Sequence, residues 1–177
     1  MKKVVIIVLI CALILSGCNG IKNESSENIS EKGPGTEKVN IVLYFANSQG
    51  TFVVPENRTI QIEKNATIEE YASKIIEELI KGPEGKNLYA TIPSEVKILN
   101  VDVEGDTIYV DFSKEMHTKH WGGATGEDMT ISSLVNTLTE LEGIKYVLPS
   151  VEGMALNIEH MIVDHPLERM EEKIYKE

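Results

Sequence analysis

Between Thr67 and Lys81 the apolar side chains Ile68, Tyr71, Ala72, Ile75, Ile76, Leu79 and Ile80 follow the first of them at steps of 3, 4, 7, 8, 11 and 12, which lays one unbroken stripe along an α-helix. Thr67 with Glu70 fits a capping box at its start, and Gly82-Pro83 stops it. Glu70/Lys74 and Glu77/Lys81 are i,i+4 pairs on the opposite, wet face. A helix striped on one side draws most of its stability from whatever covers that side. The stripe could receive a partner helix, but sheet-like runs on both flanks favour packing into the core of the chain's own domain.

Val39 to Phe45 is a dense β-branched and aromatic run stopped by the turn-rich Ala46-Asn47-Ser48-Gln49-Gly50, which reads as a buried strand entering a hairpin. Thr51 to Val54 resumes the apolar run, Pro55-Glu56-Asn57 interrupts it, and Arg58 to Glu63 alternates about Ile60 and Ile62. The proline cannot donate to a ladder, so a kinked or bulged second strand is expected. Val96 to Val103 and Thr107 to Phe112 flank a compact turn, Glu104-Gly105-Asp106. A second helix is expected at about Glu127 to Glu142, striped by Ile131, Leu134, Val135, Leu138 and Leu141, with Gly143 as its C-cap. Lys145 to Val151 reads as a strand, Glu152-Gly153 as a turn, and Met154 to Val163 as one or two short extended pieces. The expected class is α+β, with two helices packed on one face of a small, mainly antiparallel sheet.

Ahead of this domain, Lys2 and Lys3 precede an apolar run from Val4 to Leu15 that Ser16-Gly17-Cys18 ends. Twelve apolar residues are too few for hydrocarbon about 30 Å thick, which takes roughly 20 in a helix, but they suit the apolar region of an export signal. Leu15-Ser16-Gly17-Cys18 resembles a bacterial lipobox, in which the cysteine is lipidated and becomes the first mature residue. Cys11 lies in the discarded segment, so Cys18 is the one cysteine of the mature chain, and no intrachain disulfide is possible. Residues 19–38 carry only Ile21 and Ile29 as sizeable apolar side chains, too little burial to offset the entropy of ordering. The organisation expected is a signal peptide at 1–17, the lipidated cysteine and a flexible linker at 18–38, and a single domain at 39–177.

Charge narrows the partners. The 177 residues hold 28 acidic and 17 basic side chains, a formal net charge of −11. Such a chain lacks the basic footprint of a nucleic-acid binder and is repelled by anionic membrane surfaces. Loss of residues 1–17 removes two lysines and takes the formal charge to −13. Membrane attachment therefore rests on a diacylglyceryl group at Cys18, since one acyl chain binds only marginally and two anchor stably.

One segment has the composition for chemistry. His117-Thr118-Lys119-His120-Trp121-Gly122-Gly123 would bring two imidazoles to one metal if it were helical, with Glu115, Glu127 and Asp128 as further ligands. Gly-Gly in a strand-to-helix connection argues against so rigid a frame; a binding loop with an exposed Trp121 is a better candidate than a metal site, and a plain connector whose tryptophan packs on the domain is favoured over both. A carboxylate pair such as Glu104 with Asp111 could be imagined acting on cell-wall glycan, yet chance pairs are expected in so acidic a chain. His160 and His165 read as isolated surface residues. No G-x-S-x-G, phosphate-cradling glycine loop or H-E-x-x-H is present.

Six pieces in order carry a resemblance: Ile41-Val42-Leu43-Tyr44-Phe45, Val54-Pro55-Glu56-Asn57-Arg58, Ile76 to Pro83, Ile92-Pro93 with Val96 to Leu99, Ile108 to Ser113, and Leu134 to Thr139. Together, behind a lipobox, they resemble the GerMN domain of bacterial sporulation and germination proteins, over about Val39 to Met170. His165-Pro166-Leu167-Glu168-Arg169 is similar to the family's closing segment. The resemblance implies a fold similar to ring-building motifs, no catalytic residues and no cofactor, and structural roles for Gly82-Pro83 and Asp111. It further implies a non-enzymatic, lipid-anchored extracytoplasmic protein that serves as an interaction or assembly module of the cell envelope, with envelope proteins or further copies of itself as partners and a link to sporulation or germination. The alternative is a small-ligand or cell-wall glycan-binding domain that uses the Trp121 loop.

Overall fold

The structure, a computed structural model, describes residues 35–176. Strand β1 (Thr36–Asn47) turns into β2 (Val53–Glu63) in an antiparallel hairpin whose register runs unbroken from Thr36 opposite Glu63 to Ala46 opposite Val53. β1 thus starts three residues ahead of the expected Val39. The bulge expected at Pro55 is absent, because Pro55 pairs with Tyr44 in regular register. Asn47 N donates to Phe52 O, and alternation from that hydrogen-bonded pair makes Tyr44/Pro55 a non-hydrogen-bonded one. The proline nitrogen then faces the free side of β2, an edge strand, where a donor is not needed.

Helix α1 (Ile68–Lys81) has the expected cap: Thr67 Oγ1 accepts from Glu70 N, and Glu70 reaches back to Thr67 N. Its stripe is buried at Ala72, Ile75, Ile76 and Leu79. A two-residue strand β3 (Leu88–Tyr89) then pairs with the end of β1. Next, β4 (Ile98–Glu104) and β5 (Thr107–Phe112) form the second hairpin, in which a register shift leaves Leu99 as an extra residue.

From β5 the chain passes through a single-turn helix α2 (Glu115–Thr118) and a long helix α3 (Gly123–Leu138) into β6 (Tyr146–Val151). β5 and β6 are parallel, and such a pair needs a long crossover of this kind. Strands β7 (Met154–Ile158), β8 (Met161–Val163) and β9 (Leu167–Glu168) follow, and a 3₁₀ turn at Glu171–Lys173 ends the fold. In place of one sheet there are two, ordered β2-β1-β3 and β4-β5-β6-β7-β8, with β9 beside β6. The α+β class and the mainly antiparallel pairing hold. Helix α1 lies on β1 and β4, and α3 lies on β1 and β6, so one core unites Leu43, Phe45, Ile76, Leu79, Phe112, Leu134 and Leu138.

Helix α3 starts four residues before the expected Glu127 and stops at Leu138. The expected stripe still holds, since Ile131, Leu134, Val135, Leu138 and Leu141 are all buried. The chain tightens past Leu138 into i→i−3 bonds, Glu140 N to Thr137 O and Leu141 N to Leu138 O, which carry Leu141 onto the core without α-helical pairing. Gly143, expected as the C-cap, sits instead at φ 86° in the following turn, before the buried Ile144.

Candidate functional site

Helix α3 is buried on its polar residues as well as its apolar ones. Thr130, Ser133 and Thr137 repeat at helical spacing and are all fully enclosed. Thr130 Oγ1 donates to Thr91 O, Ser133 Oγ donates to Tyr44 O, and Thr137 Oγ1 accepts from Tyr44 N at 3.0 Å. These hydroxyls stand in for a neighbouring strand along the side of β1 that β3 leaves open.

The same row positions the candidate loop. His120 Nε2 lies 2.9 Å from Thr130 Oγ1. That hydroxyl spends its hydrogen on Thr91 O, so His120 donates from Nε2 and leaves Nδ1 unprotonated, buried and without a partner among the described residues. Burial holds the imidazole below its ordinary pKa, against the pull of Glu127 and Glu159. The His120 ring stacks on Trp121 at a centroid distance of 6.1 Å and 26° between planes. Trp121 is held from behind as well: a Cβ at Gly126 would meet Trp121 O at 2.2 Å, and Gly122 takes φ 92°. The indole is nonetheless 49% exposed, so its pose is fixed by backbone packing and stacking instead of by burial in the core.

Trp121 forms one wall of a groove of about 250 Å³. Tyr89, 54% exposed, lines it too, with the β1–β2 turn at Ser48 and Gln49 and the start of α3 at Thr125 and Met129. No lining residue carries a charge.

The ligand set expected from sequence disperses. His117, on α2, accepts from Asn157 N at 3.4 Å, while Asp128 is paired with Lys173 at 2.7 Å. Glu115 is held below the usual carboxylate range by Ser113 and its own backbone N–H. Glu127, 1% exposed, accepts from His160 N, with His160 Nδ1 3.2 Å from the same oxygen. His160 is therefore not isolated. Its ligand atoms and those of Glu127 and Glu159 lie within 4.8 Å of one another, the grouping best placed to hold a cation. His165 meets Asp164 at the surface.

Glu104 and Asp111 do not form a pair. Asp111 is opposite Asn100 while Glu104 is opposite Thr107, four residues along the strand or about 13 Å. Asp111 instead accepts from Ser150 Oγ at 2.7 Å and Gly153 N at 2.9 Å, which fixes the turn between β6 and β7. Gly82-Pro83 does stop α1, and its carbonyl has a further use. Arg58, with a side chain 6% exposed, donates to Gly82 O and to Glu78 O and pairs with the carboxylates of Glu56 and Glu78. Glu56 also accepts from Glu84 N and Gly85 N. In the closing segment Arg169 reaches Tyr44 Oη, Glu140 and Asn136 O; burial would lower its pKa, but Glu171, Tyr44 and Glu140 outweigh that and raise it. Cys18 lies outside the described residues, and among those described no helix is long and apolar enough to cross a membrane.

Comparison with known proteins places this geometry. A family described as "Germane: Sporulation and spore germination" matches residues 42–157. The tandem GerMN domains of the sporulation protein GerM from Bacillus subtilis share the fold at a TM-score of 0.59 and 21% identity, covering 75% of this chain and 46% of that one. The chain thus spans less than half the length of that structure. A candidate lipoprotein from Clostridium perfringens matches at 0.53 and 23% identity, covering 74% and 87% of the respective chains. The first GerMN domain of the Bacillus subtilis protein alone matches at 0.53 and 20%, covering 76% and 98%. No curated protein matches the sequence.

Proposed function

The chain belongs to the Germane family of sporulation and spore germination, and from that premise we propose that it is a non-enzymatic lipoprotein of the cell envelope, tethered through Cys18 and acting as an assembly module. The observation that carries the reading is the family match over residues 42–157 placed behind a lipobox at 15–18. The Clostridium perfringens chain, named as a candidate lipoprotein and similar over 87% of its own length, supports the lipid-anchored reading. The scattering of His117, His120, Glu104 and Asp111 leaves no convergent acid/base pair among these residues, which favours a role in contact over one in catalysis.

Two acyl chains on Cys18 anchor a chain of this charge stably. Self-association and other envelope proteins are the partners this reading calls for, in a cell that sporulates or germinates. Fractionation tests the anchor: Cys18→Ala moves the protein from the membrane to the soluble extracytoplasmic fraction, and retention in the membrane overturns it. Crosslinking of the intact envelope followed by mass spectrometry tests the assembly role, with a reproducible partner or a ladder of self-crosslinks expected. A strictly monomeric, partnerless protein refutes it.

A further inference from the structure

We propose that the groove between Trp121 and Tyr89 binds a neutral stretch of glycan, in the form of N-acetylated hexose units. The choice of a wall polymer as ligand rests on the extracytoplasmic reading above, whereas the groove's chemistry stands without it.

Exposure is the first observation. A folded domain gains by burying large aromatics, yet Trp121 and Tyr89 remain 49% and 54% exposed on the rim of a single groove. Rigidity is the second. Gly126 leaves no room for a Cβ against Trp121 O, and the indole stacks on a histidine that Thr130 holds. The backbone of Tyr89, in β3, is held by its pairing with Ala46 of β1. An indole held open in this way needs little further ordering when a ligand lies on it, which lowers the entropic cost of binding.

Charge selects the ligand. In a chain with a net charge of −11, the groove is lined without a single ionisable carboxylate, lysine or arginine. Phosphate- or carboxylate-rich polymers find no cation there, and a basic peptide finds no anion. Sugar rings present apolar C–H faces that lie flat on indole and phenol. Their hydroxyls and acetamido groups suit the carboxamide of Gln49 and the hydroxyls of Ser48 and Thr125. The acetyl methyl has an apolar counterpart in Met129 and Ala90.

Trp121 is the sole tryptophan of the chain, so its fluorescence reports this groove alone. The experiment titrates the full chain in detergent micelles with a tetramer of N-acetylglucosamine. A saturable change in emission that is insensitive to salt between 50 and 500 mM is expected, because a neutral ligand is not screened. Tyr89→Ala, which removes an exposed side chain and leaves the reporter in place, weakens binding about tenfold. Trp121→Phe retains partial co-sedimentation with insoluble peptide-free glycan strands, and Trp121→Ala loses it, both with unchanged melting. No saturable response, equal binding by the Ala variants, or binding seen only with an anionic polymer at low salt overturns the proposal. Membrane release of Cys18→Ala is scored separately, so the anchor and the groove fail independently.

Discussion

Arg58 provides the sharpest test of how this fold is held. Its guanidinium is 6% exposed, lies 5.7 Å from the centroid of the Phe45 ring, and faces Glu56 Oε1 at 2.5 Å and Glu78 Oε2 at 3.3 Å, both carboxylates being 12% exposed. Arg58→Ala leaves the largely buried Glu56 carboxylate without its cation, leaves Glu78 to Lys81 alone, and frees Gly82 O. Breaking a buried pair from one side costs about 3–5 kcal/mol. For the 142 described residues, an unfolding entropy near 2.1 cal/mol/K each gives about 0.3 kcal/mol/K, so the melting temperature falls by about 10–17 °C. Differential scanning calorimetry at pH 7 reads this directly. Arg58→Lys, which keeps the charge but loses the fork that reaches Gly82 O and Glu78 O, falls in between. Acid supplies a second arm. Burial alone would raise the Glu78 pKa, but hydrogen bonds and charge from Lys81 and then Arg58 outweigh it and hold the carboxyl below 4.5. A pKa lower in the folded than in the unfolded state contributes stability that is present above the unfolded value and lost as pH falls through the folded one. The gap between wild type and Arg58→Ala therefore narrows below pH 4.5. A loss under about 3 °C, the value of an exposed pair, or a gap that widens in acid, refutes the reasoning.

Gly126→Ala drives a Cβ into Trp121 O at 2.2 Å, so the 120–126 backbone must shift. The expected outcome is a loss of about 1–3 kcal/mol in urea unfolding together with altered Trp121 emission, and an unperturbed emission spectrum counts against tight glycine packing as the support of the indole. For His120, whose pKa burial lowers from 6.5, the sign is again that of a lowered group: stability is present above pH 6.5 and lost as pH falls through the folded value. NMR titration of the imidazole should give a midpoint below 6.5, and one at or above it removes the buried neutral tautomer.

What could be read from sequence follows from how local each determinant is. The cap at Thr67, the α1 stripe and the Gly82-Pro83 stop act within a few residues, and all stand where periodicity puts them. The α3 boundaries were not legible, because its start depends on Gly122 in a left-handed conformation and its end on a change from i→i−4 to i→i−3 pairing that keeps the apolar spacing intact. Pro55 misled for a similar reason: its effect depends on which side of β2 is free, and strand order is a tertiary fact. At the site, Trp121 stands out in sequence as the aromatic of a candidate binding loop, but Tyr89 and Gln49 are 32 and 72 residues away in sequence and meet it only through the fold. The row Thr130, Ser133, Thr137 did carry a signal, a second helical period in hydroxyls, which the structure shows as buried.

That buried row limits the ways in which the domain could make the protein contacts proposed for it. β1 has no open side near Tyr44, since α3 hydroxyls occupy its N–H and C=O. Edge strand β2 carries Pro55 on its free side, edge strand β4 is interrupted by the extra residue Leu99, and edge strand β8 is three residues long. Proline, bulges and shortness are the devices by which sheets resist pairing with further strands. Strand addition is therefore the disfavoured route to association for this domain. The apolar side chains left in solvent, Leu99 at 52%, Met154 at 64% and Ile162 at 63%, are the better anchors for a protein partner, because a contact through them needs no unpaired backbone. They stand on the β4 and β7–β8 strands, whereas the Trp121 groove is built from the β1–β2 turn, β3 and the start of α3, so glycan and protein contacts would draw on separate elements of the fold.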